Sequence, residues 1–514
     1  MPRRGGHGHT GGFIPSPRPP RGTRPALPCA RCLAVLLLAF GCRTPAAAPG
    51  PDSPGPPVVG ASADTSSPGA LPAPAPVADV PAAAATPDDA DPAPEPLDAG
   101  PPLVGLPPPL FVIVGGDLMF HDQIQSVARE HAAGDPAAGW AWLLRELAPL
   151  RRRLETLGRT RFVANLESPI AAQREEPRPF PPRFNGPPEA LAGFRAAGVD
   201  ALTLANNHAY DQHRAGLGET VAAVEAAGFV HAGAGDAAAA RAPAVLSERD
   251  PRVLLLQYLW LPTPPPDPAD AAAYRVAVLD ERTADEVRAA AADADAVLVV
   301  VHWVGEFQAR PLPAWREWAE RLAEAGATAV VGHGPHVVGP VERVDRSGNV
   351  VPLVFSVGNL VSNMGWGVHP DVPLVPTGNS EFRLEARTEA LAVLRVDPTP
   401  EEDDPSRVAA WRLTGLWLVP LWLEDNRPLA NSPGGPRREI FPRPLPWCLP
   451  DDPAVGCFDG ASERWCRGRL ELLQTGREGV LRTMWGTAPE PLAPCPPGAD
   501  PYDPPPDFRR LAAP

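Results

Sequence analysis

From Leu110 to Asn359, apolar runs of strand length alternate with segments of helical apolar spacing, and this alternation leaves few folds open. The runs are "LFVIVGG", "RFVANLE", "VDALTLANNH", "FVHAGAG", "RVLLLQYLW", "AVLVVVHW", "ATAVVGHG" and "VVPLVFSVGN". Between them lie "GWAWLLRELAPLRRRLETL", "PPEALAGFRAAG", "GLGETVAAVEAAG", "TADEVRAAAADAD" and "PAWREWAERLAEAG". Pro opens and Gly closes "PPEALAGFRAAG", the punctuation of a helix. Strands this continuously apolar are buried on both faces, so helices must cover them, and the expected fold is α/β. From about Ser380 the pattern turns strand-rich, in "EFRLEA", "EALAVLRVD" and "WRLTGLWLVPLWLE". Beyond Asn426 it is Pro-rich and irregular, with one helix expected near "SERWCRGRLELLQ".

The N-terminal part cannot fold in this way. Arginines and no acid precede the short apolar run "CLAVLLLAFGC", which is too short to span a membrane and suits an export signal. Ala39-Phe40-Gly41-Cys42 resembles a bacterial lipobox with Cys42 as the lipidated residue, although Leu is usual at the first place. Ordinary cleavage in the Ala-rich stretch after Cys42 is the simpler reading of the same segment. Residues 43–109 are rich in Pro, Ala and Asp and almost free of aromatics, so they are expected to form a disordered tether. The organisation expected is therefore a signal over 1–42, a tether over 43–109, a folded domain over 110–425 and an extension over 426–514. The extension holds Cys448, Cys457, Cys466 and Cys495, which in an exported protein suggest two disulfides in any of three pairings. A net charge of −15 argues against nucleic acid as a partner.

The strand ends carry the chemistry. Successive runs finish in Asp117, in Asn165 and Glu167, and in Asn206, Asn207 and His208 followed by Asp211. Later ones give His302 with Glu306 after it, then His333 and His336, then Ser356 and Asn359. In α/β sheets, sites form beyond the carboxyl ends of strands, so these side chains are expected to converge. Singly, each has a plainer reading: an Asp after a strand is commonly a helix cap, and a histidine beside Trp303 a satisfied core residue. Together they make a mixed oxygen and nitrogen ligand set. That set suits one or two divalent ions of the Mn, Fe, Zn or Co kind rather than Mg or Ca. Such an ion activates water for hydrolysis.

The ordered motifs "GGDLMF", "NLESP", "LANNHAYD", "HWVGEF", "VGHGPHV" and "FSVGN" resemble those of the CapA-type poly-γ-glutamate capsule synthesis family, related to the calcineurin-like metallophosphatases. The resemblance covers roughly Phe111 to Met364. It implies a metallophosphatase-like sandwich of two central sheets flanked by helices. It implies Asp117 and His336 as ligands of a first metal, Glu167 as a bridge, and Asn207, His302 and His333 as ligands of a second. His208 would face the leaving group, oriented by Asp211. Asn165, Glu306 and Asn359 would stand behind the ligands or touch substrate. Where metallophosphatases have a histidine two residues after the first Asp, Met119 stands here, so a single-metal centre is open. His121 is nearby but out of phase. His213, and Gly305 one place late, are smaller departures that remove no proposed ligand.

The function expected is a metal-dependent hydrolase or transferase of the cell envelope. Its partners would be an anionic capsule or cell-wall polymer, the membrane through a lipid anchor, and membrane proteins of capsule synthesis or export. The alternatives are a non-catalytic assembly factor and a polymer-binding lipoprotein, each with a structural or vestigial metal site.

Overall fold

The computed structural model describes residues 105–502 apart from 180, 262–269, 271, 347, 373–382 and 487–489. The signal segment, Cys42 and residues 43–104 of the tether lie outside the described residues. In chain order, the strands of the two main sheets begin with β1 (Leu110–Leu118), β2 (Arg159–Leu166), β3 (Ala201–Thr203), β4 (Val230–Ala232), β5 (Ala244–Ser247), β6 (Val253–Trp260) and β7 (Ala296–Trp303). They continue with β8 (Ala329–His333), β9 (Val341–Arg346), β10 (Asn349–Val354), β11 (Asn359–Val361), β12 (Thr388–Pro400), β13 (Val408–Asp425) and β14 (Ile440–Pro444). One sheet has the order β14-β13-β12-β1-β2-β3-β4, with β11 also paired to β1; the other has the order β9-β10-β8-β7-β6-β5.

The two-residue period of each strand explains the layers. Leu110, Val112 and Val114 of β1 enter one apolar core with Leu255 of β6, Leu298 and Val300 of β7 and Val331 of β8, so the sheets pack face to face. The intervening Phe111 and Ile113 point the other way. There they meet α1 (Asp122–Glu130), α2 (Pro136–Leu143), α3 (Ala148–Glu155), α4 (Glu189–Ala196) and α5 (His213–Ala226). The outer face of the second sheet, with Val297, Val299 and Val301, is covered by α6 (Thr283–Asp293) and α7 (Pro313–Ala325). Each such fully buried aliphatic side chain contributes about 1.5–3 kcal/mol relative to exposure. The fold is the expected α/β sandwich of two central sheets flanked by helices.

Three features depart from the reading of the sequence. The run "VVPLVFSVGN" is two strands, not one. β10 pairs with β8 in the second sheet, and after Phe355–Gly358 the chain crosses to pair β11 with β1 in the first. Gly358 has φ +75° at the crossing, a conformation that favours glycine. Leu384–Arg387, expected within a strand, form a 3-10 turn. In the Pro-rich C-terminal part, "IFPRP" pairs with β13 as the edge strand β14, a place where proline is tolerated.

The C-terminal helix α8 runs over Glu463–Trp485, capped by the Ser462 hydroxyl, which accepts from the Trp465 amide. Its Val480 and Met484 reach the core between the sheets. Arg469 is 2% exposed and pairs with Glu424 of β13, which fastens the helix to the sheet. Cys448 bonds to Cys495 and Cys457 to Cys466, which selects one of the three pairings.

Candidate metal centre

The site stands where the strand ends of both sheets meet. The first sheet brings Asp117 from the end of β1, Asn165 near the end of β2 with Glu167 just past it, and Asn206, Asn207 and His208 after β3. The second brings His302 near the end of β7, His333 at the end of β8, and His336 three residues on. The turn between the last two is tight. His336 has φ +59°, a left-handed conformation that costs a residue with a Cβ about 1–2 kcal/mol. Gly334 has φ +104°, and a Cβ there would meet the Trp303 carbonyl oxygen at 2.5 Å and His302 Nε2 at 2.9 Å. Strain of this kind persists only where the surroundings impose it.

Asp117 is the hub. It is fully buried, with Oδ1 2.9 Å from His333 Nδ1 and Oδ2 3.3 Å from His336 Nδ1. Asn165 Nδ2 donates to Oδ1 at 2.8 Å, and the Gly334 amide donates to Oδ2 at 3.1 Å. Burial alone would raise this carboxyl, but His333 and then His336 and His302 hold it well below the usual range. His302 Nε2 lies 2.8 Å from Asn207 Oδ1 and 3.8 Å from Glu167 Oε1. Burial pushes the His302 imidazole well below its ordinary range, so it is neutral, the form that ligates a metal. His336 Nε2 lies 3.9 Å from Glu167 Oε1. Burial would lower His336, but its bond to Asp117 and the charge of that residue raise it.

Glu167 sets this site apart from a fully satisfied buried polar cluster. It is fully buried, and neither carboxylate oxygen has a hydrogen-bond partner. His333 Nε2 is likewise buried and unpartnered. Unpaired polar groups in an interior are costly, and a cation is the partner both would accept. Burial, then the charge of Asp117, pushes Glu167 well above the usual carboxylate range. The two acids thus compete for a single negative charge unless a cation joins them. Ligand atoms of Asp117, His302 and His333 lie within 4.8 Å of one another, and so do those of Asp117, Glu167 and His336. Either group could hold a metal ion.

The other expected residues divide. His208 Nδ1 is 2.9 Å from Asp211 Oδ2, and the Phe184 amide donates to the same oxygen at 2.6 Å. Asn206 donates to the Leu166 carbonyl at 2.9 Å and shapes the turn. Asn359 Oδ1 is 2.9 Å from His336 Nδ1. Glu306 is exposed, outside the hydrogen-bonded cluster, though near enough for its charge to raise His336 and Glu167. His121 packs edge-on to Phe184 at 5.1 Å, and its Nδ1 is buried without a partner. Burial, then His336 and His208, push it down to about 3. Met119 is buried, at 1% exposure.

Two residues at the site escape the strand-end reading. Phe184 packs edge-on to His208, with ring centres 4.6 Å apart, from an irregular Pro-rich loop that offers no local signal. Glu389 of β12 is fully buried and accepts from both nitrogens of Asn359. An acid inside the apolar run "EALAVL" was the signal that could have marked it.

Residues 111–364 match the family described as bacterial capsule synthesis protein PGA_cap. The PGA biosynthesis protein CapA of Bacillus subtilis is 38% identical over 16% of this chain and 20% of its own length. The capsule biosynthesis protein CapA of Bacillus anthracis is 26% identical over 43% of this chain and 53% of its own. A "Probable polyglutamine synthesis accessory protein" of Mycobacterium tuberculosis is 27% identical over 55% of this chain and 70% of its own. The chain thus spans about a fifth and about half of the two Bacillus proteins. By the match over residues 111–364, with the site residues from Asp117 to Asn359 inside it, this chain belongs to the CapA-type family of bacterial capsule synthesis proteins.

Proposed function

We propose that this protein is a metal-dependent hydrolase or transferase of the cell envelope, acting on a phosphoester, amide or ester bond in an anionic capsule polymer of the poly-γ-glutamate kind. The observation that carries the reading is the pair of unpartnered Glu167 oxygens beside Asp117, His302 and His336. Asp117, Glu167, Asn207, His302, His333 and His336 would hold one or two ions of the Mn, Fe, Zn or Co kind, a choice that follows from the mixed donor set. When bound, such an ion activates water and polarises the bond under attack. His208 is the proton donor to the leaving group. Asp211 accepts from its Nδ1 and so leaves the proton to be given on Nε2. The Phe184 amide holds Asp211 in turn, and the Phe184 ring shields one side of the imidazole.

The names of the relatives support a place in capsule synthesis, at the cell envelope. Lipidation at Cys42 would anchor the domain there, with residues 43–109 as the tether and capsule-export membrane proteins as neighbours. No helix among the described residues is long and apolar enough to cross a membrane.

Met119 favours a second reading. A thioether two residues after Asp117 is a poor ligand for a hard ion, and a centre short of one ligand suits an assembly or polymer-binding factor. The deciding experiment is elemental analysis of purified protein, followed by turnover of p-nitrophenyl phosphate and of γ-glutamyl polymer with Mn²⁺ bound. Turnover that His208→Ala abolishes without loss of fold supports the enzyme. A folded, metal-replete protein inert on both substrates overturns it and leaves the second reading.

A further inference from the structure

The second sheet supplies three histidines to the centre, and one of them, His336, is linked through Asn359 to a residue far along the chain. Glu389 lies on β12, beyond the family-matched residues 111–364. Its Oε2 accepts from the Asn359 backbone amide at 2.7 Å, and its Oε1 accepts from Asn359 Nδ2 at 3.1 Å. The approach is close enough to require glycine beside it: a Cβ on Gly358 would sit 1.6 Å from Glu389 Oε2. Asn359 Oδ1 then faces His336 Nδ1 at 2.9 Å.

We propose that Glu389 is a positioning residue of the metal centre, which sets the amide of Asn359 and through it keeps the His336 proton on Nδ1 and the lone pair on Nε2. Burial pushes Glu389 above the usual carboxylate range, while the two bonds from Asn359 pull it back. In the ionised form, which those two bonds favour, both oxygens accept, so the NH2 of Asn359 faces Glu389 and its oxygen faces His336. An oxygen at Nδ1 requires a proton there. Nε2, which looks toward Glu167 Oε1 at 3.9 Å, is left free to ligate. Asp117 Oδ2, which also accepts from the Gly334 amide, lies farther from the same Nδ1, at 3.3 Å, and as an acceptor it favours the same tautomer. The proposal rests on His336 being a metal ligand, as proposed above.

Glu389→Gln is the informative variant because it keeps the volume and reverses one contact. The glutamine must offer its oxygen to the fixed backbone N–H, so its NH2 meets Asn359. Asn359 then turns its oxygen to the glutamine and its NH2 to His336, and the imidazole proton moves to Nε2. The tautomer is read by nitrogen-15 NMR of histidine-labelled, metal-free protein at alkaline pH, with the His336 signals assigned by their loss in His336→Gln. Mn²⁺ affinity is measured by competition with a fluorescent chelator. Glu389→Gln is expected to invert the tautomer and weaken Mn²⁺ binding about 10- to 100-fold. A folded Glu389→Gln protein with the wild-type tautomer and affinity overturns the proposal. Should that variant not fold, Asn359→Ala is read instead. It is expected to give a mixture of tautomers, and an unchanged Nδ1–H signal overturns the proposal. Wild-type protein that binds no Mn²⁺ would defeat the metal reading, while the tautomer measurement would still decide the role of Glu389.

Discussion

Replacing Glu167 by glutamine removes one charge at constant volume, and the site geometry dictates an unusual pair of outcomes. Without metal, the wild-type protein must either bury a carboxylate whose oxygens have no partner or keep it protonated. Its pKa stands well above the usual range in the folded state, through burial and then the Asp117 charge. The folded state therefore binds more protons than the unfolded one between the ordinary carboxylate pKa and the raised one. Glu167 adds stability that is full below about pH 4 and is lost as pH rises through the raised value, at about 1.4 kcal/mol per pH unit across that window. Glu167→Gln has no such slope. In urea unfolding with EDTA, the variant should gain on the wild type by that slope as pH rises within the window. With Mn²⁺ at 100 times its dissociation constant the order should reverse, since binding stabilises the wild type by about 2.7 kcal/mol and the variant by much less. Parallel pH profiles without metal, or equal stabilisation of both proteins by Mn²⁺, would refute the reasoning.

Asp211→Asn should lower phosphoester turnover by about 10²- to 10⁴-fold, with metal content unchanged by elemental analysis, because it acts on the His208 proton and not on a ligand. His302→Ala should reduce bound metal while circular dichroism stays native, since His302 belongs to one of the two ligand groups. Glu424→Gln strips the counter-charge from Arg469, buried at 2% exposure, and should cost about 3–5 kcal/mol in urea unfolding. The same pair carries an acid sensitivity. Burial would raise Glu424, but Arg469 and Arg443 hold it below the usual range. Its stabilisation is therefore present above the ordinary carboxylate pKa and should fade as pH falls through the depressed one, and Glu424→Gln should remove that part of the acid transition.

The layered α/β sheet and the convergence of strand-end residues were legible because both follow from local patterns. Alternation along Leu110–Val114 declares two buried faces, and chemistry at a strand terminus breaks an apolar run visibly, as at Asn206-Asn207-His208. The crossing at Phe355–Gly358 left no such mark. Its residues stay apolar or small while the backbone changes sheets, and only pairing with β1 reveals the switch. Glu389 was missed for a related reason. Its meaning depends on β12 lying beside β1 and β11, a contact between segments far apart in sequence. Phe184 reaches His208 from a loop whose course no periodicity encodes.

The proposed ligands divide evenly between the two sheets: Asp117, Glu167 and Asn207 come from one, and His302, His333 and His336 from the other. Neither half owns a complete site. An ion across the seam would act as a rivet, reinforcing the few hydrogen bonds that join the two layers at that edge, such as Gly334 to Asp117 and His302 to Asn207. Any motion that slid one layer along the other would loosen every cross-seam bond together, so metal release would report that sliding before either sheet began to unravel.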